Sequence, residues 1–253
     1  PDDGWRMGST PTITFKAPAG IEGTGAWDSD TRTIAITTTK GDIPHATEVG
    51  VEFSVWTPPS ERASASARVE TRDAAAGSID QTTDASPLAV AAISPGALAG
   101  DLTWLPPFFS PGAVAGLNTS ATLAFRTRGE VPADGMVELD LPPGWTMPLN
   151  PAVTFITPAT NVAFGAYDAD ASLLRMTLIG KKLSGDRVVK IQVSTVAIPP
   201  AVATGLKATI TTRVSDRGLI DGPTDVTTVD VVADVSGLTS AGDNAVAVVG
   251  QQK

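Results

Sequence analysis

The chain has 253 residues, with 18 Lys and Arg against 27 Asp and Glu, a formal charge of −9 and no cysteine. Disulfide frameworks and thiolate metal sites are excluded, and the acidic balance repels phosphate backbones and anionic headgroups, so nucleic acid is not an expected partner. With 24 Gly and 20 Pro scattered along the length, few windows can hold a three-turn helix.

In chain order, the first feature is Gly4-Trp5-Arg6-Met7, followed by Pro11-Thr12-Ile13-Thr14-Phe15 and Gly25-Ala26-Trp27-Asp28-Ser29-Asp30. Strand periodicity then appears at Ile34 and Ile36, and most clearly at Val49, Val51, Phe53 and Val55, which alternate with Gly50, Glu52 and Ser54. Such alternation buries one face of a strand and solvates the other. Pro58-Pro59 ends that run, Val69 and Thr71 begin another, and a Pro-rich stretch over 95–109 predicts a connector. Beyond it, 121–125 and Val137, Leu139 and Leu141 predict two opening strands ahead of Gly144-Trp145-Thr146-Met147. Val189, Ile191 and Val193, then Val229 and Val231, continue the pattern. The longest apolar stretch, 85–100, is broken by Pro87 and Pro95 and predicts no membrane span.

The chain repeats itself. Gly4-Trp5, Pro11 to Phe15 and Gly25 to Asp30 return 140 positions later as Gly144-Trp145, Pro151-Ala152-Val153-Thr154-Phe155 and Gly165-Ala166-Tyr167-Asp168-Ala169-Asp170. The register holds through Val51-Glu52-Phe53-Ser54 against Ile191-Gln192-Val193-Ser194, then slips by one at Pro58-Pro59 against Pro199-Pro200. Short alternating strands with turn residues between them predict an all-β fold of two tandem antiparallel sandwiches. The expected division is a first sandwich over 1–94, the connector 95–109, a second sandwich over 110–236 and a tail over 237–253. The first copy, opening at Pro1, is expected to lack the two opening strands of the second, and the chain is expected to be a processed chain or a window of a longer one. In the tail, Gly237-Leu238-Thr239-Ser240 and Ala245, Val246, Ala247, Val248 and Val249 resemble Gly116-Leu117-Asn118-Thr119-Ser120 and the strand that follows. Val246 and Val248 take the places of Leu123 and Phe125.

Candidate sites are few. His45, the one histidine, matches Gly185 in the second copy and reads as a solvated loop residue. No phosphate loop, Gly-x-Ser-x-Gly elbow or His-Glu-x-x-His helix is present, so neither enzyme activity nor a cofactor is expected. Asp28 with Asp30, and Asp168 with Asp170, are weak Ca²⁺ candidates; as turn formers between strands they have a simpler role. Trp5 and Trp27, matched by Trp145 and Tyr167, are core or rim aromatics, with sugar stacking as the rival reading. Trp104, Phe108 and Phe109 are expected to pack between domains or between chains. Asn118-Thr119-Ser120 is a glycosylation sequon with an expected loop position.

The run Leu141-Pro142-Pro143-Gly144-Trp145, followed by Val153-Thr154-Phe155 and the Tyr167-Asp168 turn, resembles tandem immunoglobulin-like or fibronectin-like repeats of microbial and algal extracellular surface and fibre proteins. The resemblance implies architecture and a secreted or cell-surface location, and transfers no functional residue. The reading it supports is a structural filament or surface-layer subunit that binds copies of itself, with an adhesin or carbohydrate-binding module as the alternative. Assembly is expected head to tail, by 245–249 of one copy adding a strand to the open sheet of the next.

Overall fold

The structure is a computed structural model and describes residues 4–82, 87–107 and 112–233. Phe108, Phe109 and the proposed donor residues Ala245, Val246, Ala247, Val248 and Val249 lie outside the described residues. Every regular element among the described residues is a strand. The chain divides into two compact units, one of Pro1–Gly96 with Asp216–Ile220, the other of Ala97–Ser215 with Asp221–Lys253.

In the first unit lie β1 (Ile13–Ala17), β2 (Glu22–Asp28), β3 (Thr33–Lys40), β4 (Gly50–Phe53), β5 (Ala65–Ala67), β6 (Glu70–Arg72), β7 (Ser78–Gln81) and β8 (Leu88–Val90). They pair only two by two, as β1–β4, β2–β3, β5–β8 and β6–β7. Within 1–96 the buried hydrophobic residues are Met7 and Ile21 alone among those described.

The second unit is different in kind. It holds β9 (Ala99–Leu105), β10 (Ala113–Val114), β11 (Asn118–Arg126), β12 (Met136–Asp140), β13 (Val153–Thr157), β14 (Ala163–Asp168), β15 (Leu173–Leu178), β16 (Val188–Ala197), β17 (Lys207–Arg213), β18 (Leu219–Thr228) from Asp221 onward, and β19 (Val231–Val232). Nine of these form one sheet in the order β13-β16-β11-β9-β18-β17-β12-β15-β14. Alternation explains the burial: Leu174, Met176 and Leu178 of β15 point inward, as do Val189, Ile191 and Val193 of β16. On the outer side of β12, Glu138 accepts from Arg175 Nε at 2.9 Å and Arg213 Nε at 2.8 Å, tying together the three strands β15, β12 and β17.

Two expectations are corrected here. The stretch 95–109 is not simply a connector: 99–105 is β9, a central strand that pairs antiparallel with β11 and parallel with β18. It joins what would otherwise be two separate sheets, so the purely antiparallel sandwich expected from sequence becomes one sheet with a parallel step. Trp104, expected between domains or chains, is fully buried within this unit, its ring 6.2 Å from that of Trp145 and edge-on to it. The Pro and Gly around β9 masked its short alternation, Leu102 and Trp104 against Asp101 and Thr103.

Local geometry returns at the spacing of the sequence repeat. Left-handed backbone occurs at Gly4 and Gly144, Arg32 and Ser172, Ala46 and Asp186, and Ala76 and Arg217. Trp27 N–H donates to Ser9 O at 2.9 Å and Tyr167 N–H to Leu149 O at 2.8 Å. The one-residue slip also has a structural counterpart. In β16, Thr195 has φ of 59° and the ladder with β11 shifts register between Thr119 and Ala121. This is a bulge, and its extra residue restores the inward direction at Val196 after Val193. The Gly-Trp motif is fixed by Gly144, whose φ is +87° and where a Cβ would stand 3.1 Å from Pro199 Cβ; Gly4, at φ +100°, meets Pro58 Cβ at 3.0 Å. The Pro-Pro pair and the Gly-Trp pair are two sides of one contact.

Candidate functional site

The candidate site is β3 and β4 of the first unit, whose repeat counterparts in the second unit each have two strand partners. In the second unit β11 lies against β16, and β12 lies between β15 and β17. At the repeat positions of β16 and β15 the first unit has β4 and β3, and among the described residues each has one strand partner, β1 and β2. Their second edges expose backbone N–H and C=O groups that a further strand can pair.

Side chains give the same result. Val189, Val196 and Ile210 are fully buried, whereas their counterparts Val49, Val55 and Val69 are 42%, 37% and 46% exposed. The sequence patterns are alike; what differs is the cover. Fully burying such a side chain is worth about 1.5–3 kcal/mol relative to leaving it exposed, so cover over these three valines would contribute several kcal/mol.

The aromatic residues follow suit. Trp145 and Tyr167 are buried, and Tyr167 Oη donates to Trp145 O at 3.2 Å. Their counterparts Trp5 and Trp27 are half-buried and, with Trp56, Arg6 and Arg32, line an open cleft of about 460 Å³. Trp56 is 65% exposed. The core role expected for both aromatic pairs therefore holds in the second unit, and in the first the same positions face a surface.

Asp28 and Asp168 cap turns. Asp28 Oδ1 accepts the backbone N–H groups of Asp30 and Thr31 at 2.9 and 3.2 Å, and Asp168 Oδ1 those of Asp170 and Ala171, both at 3.1 Å. These bonds are those of Asx turns and engage one oxygen of each carboxylate. Among the described residues no group of three or more His, Cys, Asp or Glu is placed to hold a metal ion. Hydrogen bonds from Thr31, its hydroxyl first and then its backbone N–H, and from Asp30 hold the Asp28 carboxyl below its ordinary value. A depressed folded pKa contributes stability that is present above the unfolded value and lost as pH falls through the folded one. Carboxyl NMR titration is expected to find the Asp28 midpoint below the ordinary 3.8, and excess chelator is expected to leave the thermal midpoint of the chain unchanged.

His45 is exposed, beside Ala46 with φ of 55°. His45→Ala is expected to change unfolding free energy by no more than about 0.5 kcal/mol, as for other surface substitutions; urea denaturation checks this. Asn118 opens β11 instead of lying in a loop, its backbone opposite Ala197 and its side chain exposed. Sequence reasoning missed Asp221, a fully buried carboxylate that accepts from the N–H groups of Arg128 and Gly129. Its signal was the repeat of Gly77-Ser78-Ile79-Asp80 as Gly218-Leu219-Ile220-Asp221.

No family model matches the chain, and no curated protein matches it. Among solved structures it is similar to BcpA, the major pilin subunit of Bacillus cereus, at 11% identity and a TM-score of 0.30, covering 88% of this chain and 65% of that one. A variant of the same pilin gives 12% identity, a TM-score of 0.29 and coverages of 89% and 64%. The chain thus spans less than two thirds of the length of these pilins.

Proposed function

We propose that the chain is a structural subunit of an extracellular filament or surface layer, built from two copies of one Ig-like sandwich and assembled head to tail by strand complementation. The carrying observation is the contrast between matched positions, Val49 and Val69 exposed where Val189 and Ile210 are buried. A folded unit whose edge strands and core face are both uncovered is a receptor for strands of the type its own repeat contains. Main-chain hydrogen bonds supply affinity and alternate side chains supply register. The donor is 245–249 of a second copy. Such a contact joins different surfaces on the two partners and propagates into a fibre when it does not close into a ring. Copies of the chain are the partners, attached glycans at Asn118 are compatible with its exposed side chain, and no catalytic step is assigned to any residue. Negative-stain electron microscopy of the purified chain is the test: regular fibres are expected, and monodisperse particles at all concentrations would refute the reading.

A second reading has its own observation. The cleft of Trp5, Trp27 and Trp56 offers indole faces beside Arg6 and Arg32, a chemistry suited to stacking on sugars. It makes the chain an adhesin or carbohydrate-binding module. Trp56→Ala separates the two: it abolishes glycan-array binding if the cleft binds sugars and leaves fibre length unchanged if strand exchange carries assembly.

A further inference from the structure

We infer that the turn at 75–79 docks on a second copy of the chain, with Ser78 and Ile79 seated beside Val202 of that copy; as a filament joint it rests on the reading above. A contact of this kind is already made inside the first unit, which contains Asp216–Ile220 together with Pro1–Gly96. Glu61 N–H donates to Leu219 O at 2.7 Å, and Gly96 N–H donates to Ile220 O at 2.8 Å. Ile220 is buried to 4% exposure. The next residue, Asp221, points to the opposite side of the strand, where the Thr212 hydroxyl donates to its carboxylate at 3.2 Å. The turn is thus held through its backbone and buried through one aliphatic side chain.

Both halves of this contact recur in the chain. Residues 75–79 match 216–220 at a shift of 141, and the two turns have the same backbone: Ala76 and Arg217 are left-handed at φ of 64° and 73°, and each is followed by Gly. The N–H groups of Asp80 and Asp221 donate to Thr71 and Thr212 Oγ1 at the same 3.1 Å. Ile79 therefore stands where Ile220 does, yet it is 62% exposed, and Ser78 beside it is exposed as well. On the receiving side Glu61 matches Val202 at the same shift. Each is followed by a two-bond antiparallel bridge, Arg62 with Ile93 at 3.0 and 2.9 Å and Ala203 with Val231 at 3.2 and 2.8 Å. The Val202 side chain is 60% exposed, and its N–H meets no acceptor among the described residues. An exposed turn and an exposed receiving segment of one chain are then the same two surfaces that meet at Leu219 and Glu61. Ile79 gains an apolar neighbour in Val202, and the Val202 N–H gains a carbonyl. The contact joins different surfaces of the two copies, so it repeats along a fibre.

The chain has no cysteine, so single thiols report the contact. Ser78→Cys and Val202→Cys are made in separate full-length chains, mixed, treated with a short bismaleimide and resolved on a denaturing gel. The mixture is expected to give a covalent heterodimer, and Ser78→Cys mixed with Val162→Cys, at a position 56% exposed, is expected to give none. Adding Ile79→Asp to the Ser78→Cys chain is expected to reduce the cross-link roughly tenfold, the scale of one buried aliphatic side chain. Circular dichroism is expected to be unchanged by that substitution, since Ile79 is exposed in the single chain. Equal cross-linking at Val202 and Val162, or cross-linking undiminished by Ile79→Asp, would overturn the docking. Fibres without the Ser78 to Val202 cross-link would also overturn it and leave the filament reading standing. The cross-link in a parent chain that forms no fibres would uphold the contact and overturn the filament reading.

Discussion

Replacing Trp104 with alanine is expected to lower the stability of the second unit by about 3 kcal/mol, at the low end of the range for truncating a buried Trp. The ring is fully buried and meets Trp145 edge-on at 6.2 Å, so its removal leaves a cavity beside the largest side chain of the core. Two considerations fix the direction and size. The cavity loses both transfer free energy and dispersion contacts. Against this, the buried Trp104 indole N–H meets no acceptor among the described residues, and removing an unsatisfied donor returns about 1–3 kcal/mol. Urea unfolding followed by fluorescence measures the net. Trp56→Ala, at a 65% exposed position, serves as the control and is expected to change stability by less than about 0.5 kcal/mol. Equal effects at the two positions would mean that β9 is not an integral strand of the sheet.

Trp104 also marks where the sequence was legible and where it was not. Alternation at Val49, Val51 and Phe53, and at Val189, Ile191 and Val193, announced strands because in each case the period is two over a long run. It could not announce burial, for Val49 and Val189 read alike and differ only in what covers them. β9 was missed because seven residues bordered by Pro95, Pro106 and Pro107 present a loop-like composition, and because a strand's place in a sheet depends on partners far along the chain. The Asx turns at Asp28 and Asp168 were readable from local chemistry alone, the side chain bonding to backbone two and three residues on. Asp221 was not: its partners lie more than ninety positions earlier, and only the topology brings them together. The contrast between the two repeats was legible only as likeness, in the shared pattern of Val49, Val51 and Phe53 with Val189, Ile191 and Val193. The structure adds that Val49, Val55 and Val69 are exposed where Val189, Val196 and Ile210 are buried.

Val246→Asp with Val248→Asp, or deletion of residues 243–253, is expected to abolish fibre elongation while leaving both units folded. Under the proposed strand exchange, Val246 and Val248 would take positions that β11 fills in the second unit with Leu123 and Phe125, both buried there to 1% exposure or less. Placing a carboxylate in such a pocket without a partner costs several kcal/mol per group, or forces the group to take up a proton. Two such groups exceed what main-chain pairing of a five-residue strand returns, at a net of about 0.5–1.5 kcal/mol per hydrogen bond. The substitutions touch no described contact within the chain, so thermal midpoints are expected to match the parent protein. Val246→Ile with Val248→Ile keeps the apolar character and is expected to elongate. Protonation gives a further signature: the double Asp variant is expected to regain some elongation as the pH is lowered below the carboxylate range, since the neutral acid costs less to bury than the anion. Fibres from the double Asp variant at neutral pH, equal in length and number to those of the parent, would show that the exposed edges of the first unit are covered by something other than this tail.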